Sequence, residues 1–239
     1  MRLLFVQEAT KRSIVRRIDC FAKNARNGSV LGRKSGMKSF ITISIIAALA
    51  CAGCSKESSP SGPEQKPSDT DYVVLGWSDF QAQRFDSAVN NFTQAYNQAS
   101  TLLVRGDALN GRGWSYAYKR DLVKSSGDFI FANGLSGISP VALNDVRAGA
   151  AFVLYSLNDF PSAITYSSAV LTDNPTYTFL HDAKVTAKRL RLLLVQSYYA
   201  NGQFSSAASQ MDIADPARAP HSSDPSVLLA AIITALNSL

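Results

Sequence analysis

After residue 54 the chain has no cysteine: Cys20, Cys51 and Cys54 are the only three, and all lie before residue 55. A disulfide framework, a thiol nucleophile and a thiolate metal site are therefore excluded from the body, which must be held by packing alone. Glutamate is as scarce there, with only Glu57 and Glu64 beyond the cysteines. Paired carboxylates for acid–base work would have to be aspartates, and these scatter near turns and helix starts, where capping accounts for them. The two histidines, His181 and His221, stand far apart without a ligand-spaced neighbour, so both read as loop residues and no metal is expected. Gly106, Gly111 and Gly113 lack the Lys-Ser/Thr pair and the preceding strand that a phosphate loop requires. Nothing in the chain calls for an enzyme or a cofactor.

A basic body is missing too. The net charge is +6, yet residues 1–36 hold nine Lys/Arg against Glu8 and Asp19, while residues 55–239 hold 14 Lys/Arg against 16 Asp/Glu. The positive charge belongs to the leader, and the body carries no basic stripe for phosphates, which excludes nucleic acid as a partner. Nor is there a long apolar run. The best, Phe40 to Ala50, falls short of the roughly 20 residues a transmembrane helix needs.

What is present begins at Met37-Lys38-Ser39, a short charged start followed by that apolar run and then Cys51-Ala52-Gly53-Cys54-Ser55. These are the parts of a secretory signal. A cysteine after small residues resembles the bacterial lipobox, in which the thiol is acylated and becomes the mature N-terminus. Cys54, after Ala52-Gly53, is the favoured site, with Cys51 after Leu49-Ala50 as the alternative. The resemblance implies a palmitate-type lipid anchor, and Ser55 in place of an aspartate implies the outer membrane, facing the periplasm. Residues 1–36 fit poorly before this signal, and Met37 is the expected start, with 1–36 upstream translation or an extended leader. Residues 55–70 are rich in Ser and Pro without an apolar anchor and read as a disordered tether reaching about 50 Å at most.

From residue 71 apolar and small residues recur at helical spacing, and no alternating strand pattern persists. Four segments share one grammar. The first runs Tyr72, Leu75, Gly76, Phe80, then Phe85, Ala88, Phe92 and Ala95. The second has Leu109, Gly113, Tyr116, Leu122, Ser125, Phe129 and Ala132. The third has Ala150-Ala151, Leu154-Tyr155, Phe160 and Ala163, with Ser167 where the second-helix aromatic belongs. The fourth has Leu194, Val195, Tyr198-Tyr199, Phe204, Ala207, Met211 and Ala214. This resembles the tetratricopeptide (TPR) pattern of aromatic, Leu, Gly, aromatic, Ala, aromatic, Ala. The departures are Asp79 where an aromatic is expected and unit spacings of 37, 38 and 44 residues against about 34 in the standard repeat. The surplus falls at 133–137 and 176–188.

The resemblance implies an all-α fold, a right-handed superhelical array of about four TPR-like hairpins over 71–239. A C-terminal helix opens at Ser223-Asp224-Pro225. Its apolar stripe (Val227, Leu228, Leu229, Ile232, Ile233, Leu236) must be wedged against the fourth unit or covered by a partner or second copy. In TPR arrays the residue after the mid-helix small position points into the concave groove. Carried over, these are Trp77, Trp114, Phe152 and Gln196, with Phe80 and Tyr118 one turn on; the same aromatics would serve equally as inter-hairpin core. The implied function is a membrane-anchored scaffold holding envelope proteins or peptides. The alternative is a glycan- or nutrient-binding lipoprotein that stacks sugars on the aromatic stripe.

Overall fold

The computed structural model describes residues 66–239. The leader (1–36), the signal (37–54), Cys51, Cys54 and the tether as far as residue 65 lie outside the described residues. Among the described residues there are nine α-helices: α1 (Asp69–Gln81), α2 (Phe85–Gln98), α3 (Leu102–Lys119), α4 (Leu122–Asn133), α5 (Pro140–Ser156), α6 (Phe160–Asp173), α7 (Ala187–Ala200), α8 (Phe204–Ala214) and α9 (Pro225–Asn237). Among the described residues none is long and apolar enough to cross a membrane.

Helix α1 begins two residues before the expected boundary. Ser68 and Asp71 form a reciprocal capping box. Asp69 also accepts from the backbone N and Oγ of Ser100 at 2.8 and 2.7 Å, pinning the start of α1 to the α2–α3 turn. Side-chain caps likewise start α3 (Thr101), α5 (Ser139), α7 (Thr186) and α9 (Asp224).

All four hairpins use one turn. Gln83, Arg120, Asn158 and Gly202 adopt φ of 60, 66–67 and 77°, each two residues before the second helix starts. The next residue donates its N–H back over the turn: Arg84 to Asp79, Asp121 to Tyr116, Asp159 to Leu154 and Gln203 to Tyr198, at 2.8–3.0 Å. This is a left-handed helix stop closed by a long-range backbone bond. Asp79, the departure from the aromatic pattern, braces the first hairpin: it accepts from Arg84 Nε and Asn91 Nδ2, both at 2.8 Å.

The units stack through aromatics set between glycines. Phe92 of α2 is wholly buried, and a Cβ built on Gly76 or Gly111 would lie 2.6 or 2.1 Å from its ring. Phe129 of α4 repeats the arrangement 37 residues later, between Gly113 and Gly149, at 2.7 and 2.2 Å. Each ring thus occupies space that a first-helix glycine leaves open in its own unit and in the next. In the third unit small Ser167 replaces the ring, and the first-helix positions carry Ala151 and Val195 instead of glycine.

Each second helix packs on the following first helix. The first helices α1, α3, α5 and α7 also touch in sequence, whereas the second helices do not touch one another among the described residues. The first helices therefore line the inner side of the array. Helix α9 closes the far end on α7 and α8. Its Leu228, Ile232, Ala235 and Leu236 are buried with Leu192, Val195, Ala207 and Met211, so half of the apolar stripe packs within the chain, while Val227 and Ile233 stay exposed.

Candidate functional site

The inner face carries the aromatics predicted for it, but it is not open. Residues 174–187, the surplus between α6 and α7, fold back across it. Tyr177 and Phe179 of this segment are buried, while Thr178 and Leu180 between them face outward. This is the alternation of an extended chain on a surface. An isolated antiparallel bridge pairs Thr178 with Thr186.

The segment meets the first helices one after another. On α5, Asp145 Oδ1 accepts from the Tyr177 hydroxyl at 2.8 Å. On α3, the Phe179 ring stacks on Trp114, with centroids 4.5 Å apart and planes at 20°. On α1, His181 stacks on Trp77 at 3.6 Å and 2°, and its Nδ1 lies 3.5 Å from Gln81 Nε2. At the tip, the Tyr118 hydroxyl donates to Asp182. Phe80 sets its edge against Tyr118, Trp77 and Phe179, at 5.0, 5.6 and 6.2 Å.

The electrostatics follow from burial. Loss of solvent pushes the Asp145 carboxyl up to about 7; the Tyr177 hydroxyl and the Asn110 side chain counter this, and the charge of Asp107 adds to it. Burial also raises Asp107, which stands in α3 where Asp145 stands in α5, seven residues before Trp114 and Phe152 respectively. His181 is pushed down to about 4 by burial, so it stacks as a neutral ring at physiological pH. The phenols of Tyr177 and Tyr118 are driven upward by burial and then by their carboxylate neighbours, so both act as hydrogen-bond donors. Among the described residues no group of His, Cys, Asp or Glu could hold a metal ion.

Of the six residues expected in the groove, the structure brings four together: Trp77, Phe80, Trp114 and Tyr118. The expectation of open access does not hold for Trp114 and Phe80, which are 1% and 3% exposed. Phe179 covers the first, and Trp114 Nε1 is tied to the Asp145 carbonyl at 3.2 Å. Phe152 packs half-buried against the core. Gln196 is buried; its Nε2 donates to the Leu192 carbonyl within its own helix at 3.0 Å, while its Oε1 is buried without a hydrogen-bond partner. Sequence reasoning missed Asp145, Tyr177, Phe179, His181 and Asp182. Their one signal was the excess spacing of the fourth unit combined with the alternating Tyr-Thr-Phe-Leu-His.

No family model matches the chain, and no curated protein does. Among solved structures the chain is similar to MamA AMB-1, a TPR-like helical protein, with a TM-score of 0.51 and 17% identity over 71% of this chain and 81% of that one. At this identity the likeness establishes the fold alone: the described residues form a TPR-like array of helical hairpins.

Proposed function

We propose that the chain is a protein-binding scaffold of the bacterial cell envelope, an anchored binding protein and not an enzyme. One observation carries this reading. The inner face of the array already holds a peptide segment folded back on itself, its own residues 174–187, by stacking and side-chain hydrogen bonds. A surface that binds such a segment in cis has the chemistry to bind one in trans. The address comes from the sequence: a signal-like stretch at 37–54, Cys54 (or Cys51) for the lipid, and a Ser/Pro-rich tether, favouring the periplasmic side of an outer membrane. Two acyl chains give stable attachment. The glycan alternative has less support, because a sugar needs a free ring face while Trp114 lies under Phe179 and Trp77 under His181.

In-cell crosslinking with mass-spectrometric identification tests the scaffold. A discrete partner set is expected with the full chain and is lost when 66–239 is deleted and the leader kept. Identical sets from both would show that the array is not the binder. Metabolic labelling with a fatty-acid probe tests the anchor: Cys54→Ser should abolish incorporation, and labelling lost only in Cys51→Ser would assign the other cysteine. Labelling that survives both substitutions rejects the lipid anchor.

A further inference from the structure

Residues 174–187 have three properties of a ligand that an ordinary connection lacks. First, about half of them are surplus: the fourth unit follows the third after 44 residues, six or seven more than the 37 and 38 between earlier units. Second, their backbone is self-sufficient. Phe179 N–H donates to Val185, Val185 to Asp182, Asp182 to Phe179, Ala187 to Tyr177 and Tyr177 to Asn174, at 2.6–3.3 Å, so these bonds all close within the segment. Third, alternate side chains meet the first helices in a fixed order, Tyr177 to α5, Phe179 to α3 and His181 to α1, and Asp182, next to the last of these, returns to Tyr118 of α3. Undocking would uncover rings and break side-chain bonds without stripping a backbone group of its partner.

The groove is also incompletely satisfied by its occupant. Asn110 Oδ1, on the α3 face beside Asp145, is buried with no hydrogen-bond partner. The N–H groups of Tyr177, Phe179, Asp182, Val185 and Ala187 are turned inward to the segment's own carbonyls, and those of Thr176 and Lys184 go to the Asn174 and Asp182 side chains, so none of these reaches it. An extended segment with free backbone donors could pair this oxygen as well as supply the rings.

We propose that residues 174–187 are a resident cis-ligand that closes the groove, and that a partner's extended segment carrying Tyr-x-Phe-x-(aromatic)-Asp in the same order displaces them. This rests on the scaffold reading and specifies its partner and its control. The tyrosine hydroxyl would meet Asp145, the phenylalanine Trp114, the next flat ring Trp77, and the acid Tyr118. Protein with the segment docked is closed to partners, and its apparent affinity is reduced by the closed fraction.

Two measurements on the purified full chain decide the matter. In native-state hydrogen exchange, the bonded amides of Phe179 and Val185 should exchange at least about tenfold faster than those of α3 and α5, because the segment opens locally. Exchange of these amides only together with the helices would overturn the proposal. In the second, a synthetic peptide of residues 174–187 is titrated by tryptophan fluorescence against wild type and Phe179→Ala/His181→Ala. The variant should bind about tenfold or more tightly than wild type, and a peptide with alanine for its phenylalanine should not bind. A helical variant that ignores the peptide sinks the proposal; a variant that unfolds leaves the exchange result to decide. Envelope partners captured without any local opening would keep the scaffold reading and reject the cis-ligand. Opening and peptide capture without a cellular partner would do the reverse.

Discussion

Replacing Gly111 by alanine should destabilise the protein, although alanine is the better helix former. The new Cβ would lie 2.1, 2.3 and 2.5 Å from three ring atoms of Phe92, where carbon atoms prefer about 3.5–4.0 Å. The ring cannot retreat. It is wholly buried, its other side meets Gly76, whose own Cβ position is 2.6 Å from it, and Trp77 abuts it edge-on at 4.9 Å. Overpacking costs about 1–3 kcal/mol, and a clash confined on both sides belongs at the upper end. The helix-propensity gain returns about 1 kcal/mol, leaving a net loss of roughly 2 kcal/mol and a Tm lower by roughly 4–8 °C for a domain of this size. Gly127 is the internal control. It lies inside α4 with nothing within 4 Å of its Cβ position, so Gly127→Ala should stabilise by about 0.5–1 kcal/mol. Urea unfolding of the full chain followed by far-UV circular dichroism measures both. Adding Phe92→Leu to Gly111→Ala should recover part of the loss, with a coupling of about 1 kcal/mol. Gly111→Ala as stable as wild type, or strict additivity in the double variant, would refute the ring-between-glycines account.

Three further outcomes are expected. Asp145, raised to about 7 in the folded protein from its ordinary 3.8, binds its proton more tightly when folded; its contribution is full at low pH and is lost as pH rises through 7. His181, lowered to about 4 from 6.5, has the opposite sign, contributing above 6.5 and losing that contribution as pH falls to 4. Thermal melts of His181→Gln should therefore show stability rising more steeply from pH 6.5 to 4 than in wild type, aided by Asp107, and Asp145→Asn should reverse the trend; unchanged slopes would reject these assignments. Arg112 holds Asp128 through two bonds of 2.8 Å, with side chains only 17% and 12% exposed, so Arg112→Ala should cost about 2–3 kcal/mol in a urea melt. Lys119→Ala, opposite an Asp86 side chain that is 86% exposed, should cost no more than about 1 kcal/mol; equal losses would count against burial as the deciding factor. On α9, Leu228→Ala should cost about 2–4 kcal/mol because the side chain is fully buried, while Val227→Ala, at 55% exposure, should be nearly neutral. Equal effects in that pair would argue against docking of α9 on α7 and α8.

Local signals in the sequence were sufficient for the hairpins. Helical periodicity, Phe85, Leu122, Phe160 and Phe204 after each turn, and the cap at Asp224 all act over a few residues, so they can be read in order along the chain. The pairing of Gly111 with Phe92 and of Gly149 with Phe129 was harder to see, because each joins one unit to the next and neither glycine stands at the repeat's usual small position. The start of α1 was placed late although its Ser68–Asp71 capping box is local; the contact that ties it to the next turn, Asp69 to Ser100, spans 31 residues.

The groove marks the boundary between the two sources of information. By itself the sequence determined the helical class, the number of hairpins, the C-terminal helix and the face on which Trp77, Trp114 and Tyr118 would lie, because side-chain period is a property of each helix alone. Only the tertiary structure decided what covers that face. Periodicity reports that a stripe is apolar and is silent on its occupant, and an excess of residues between α6 and α7 has no direction until the chain folds. Folding sends 174–187 inward, where Phe179 stacks on Trp114 and Tyr177 bonds to Asp145, because those partners lie on α3 and α5, which only the packed array brings side by side.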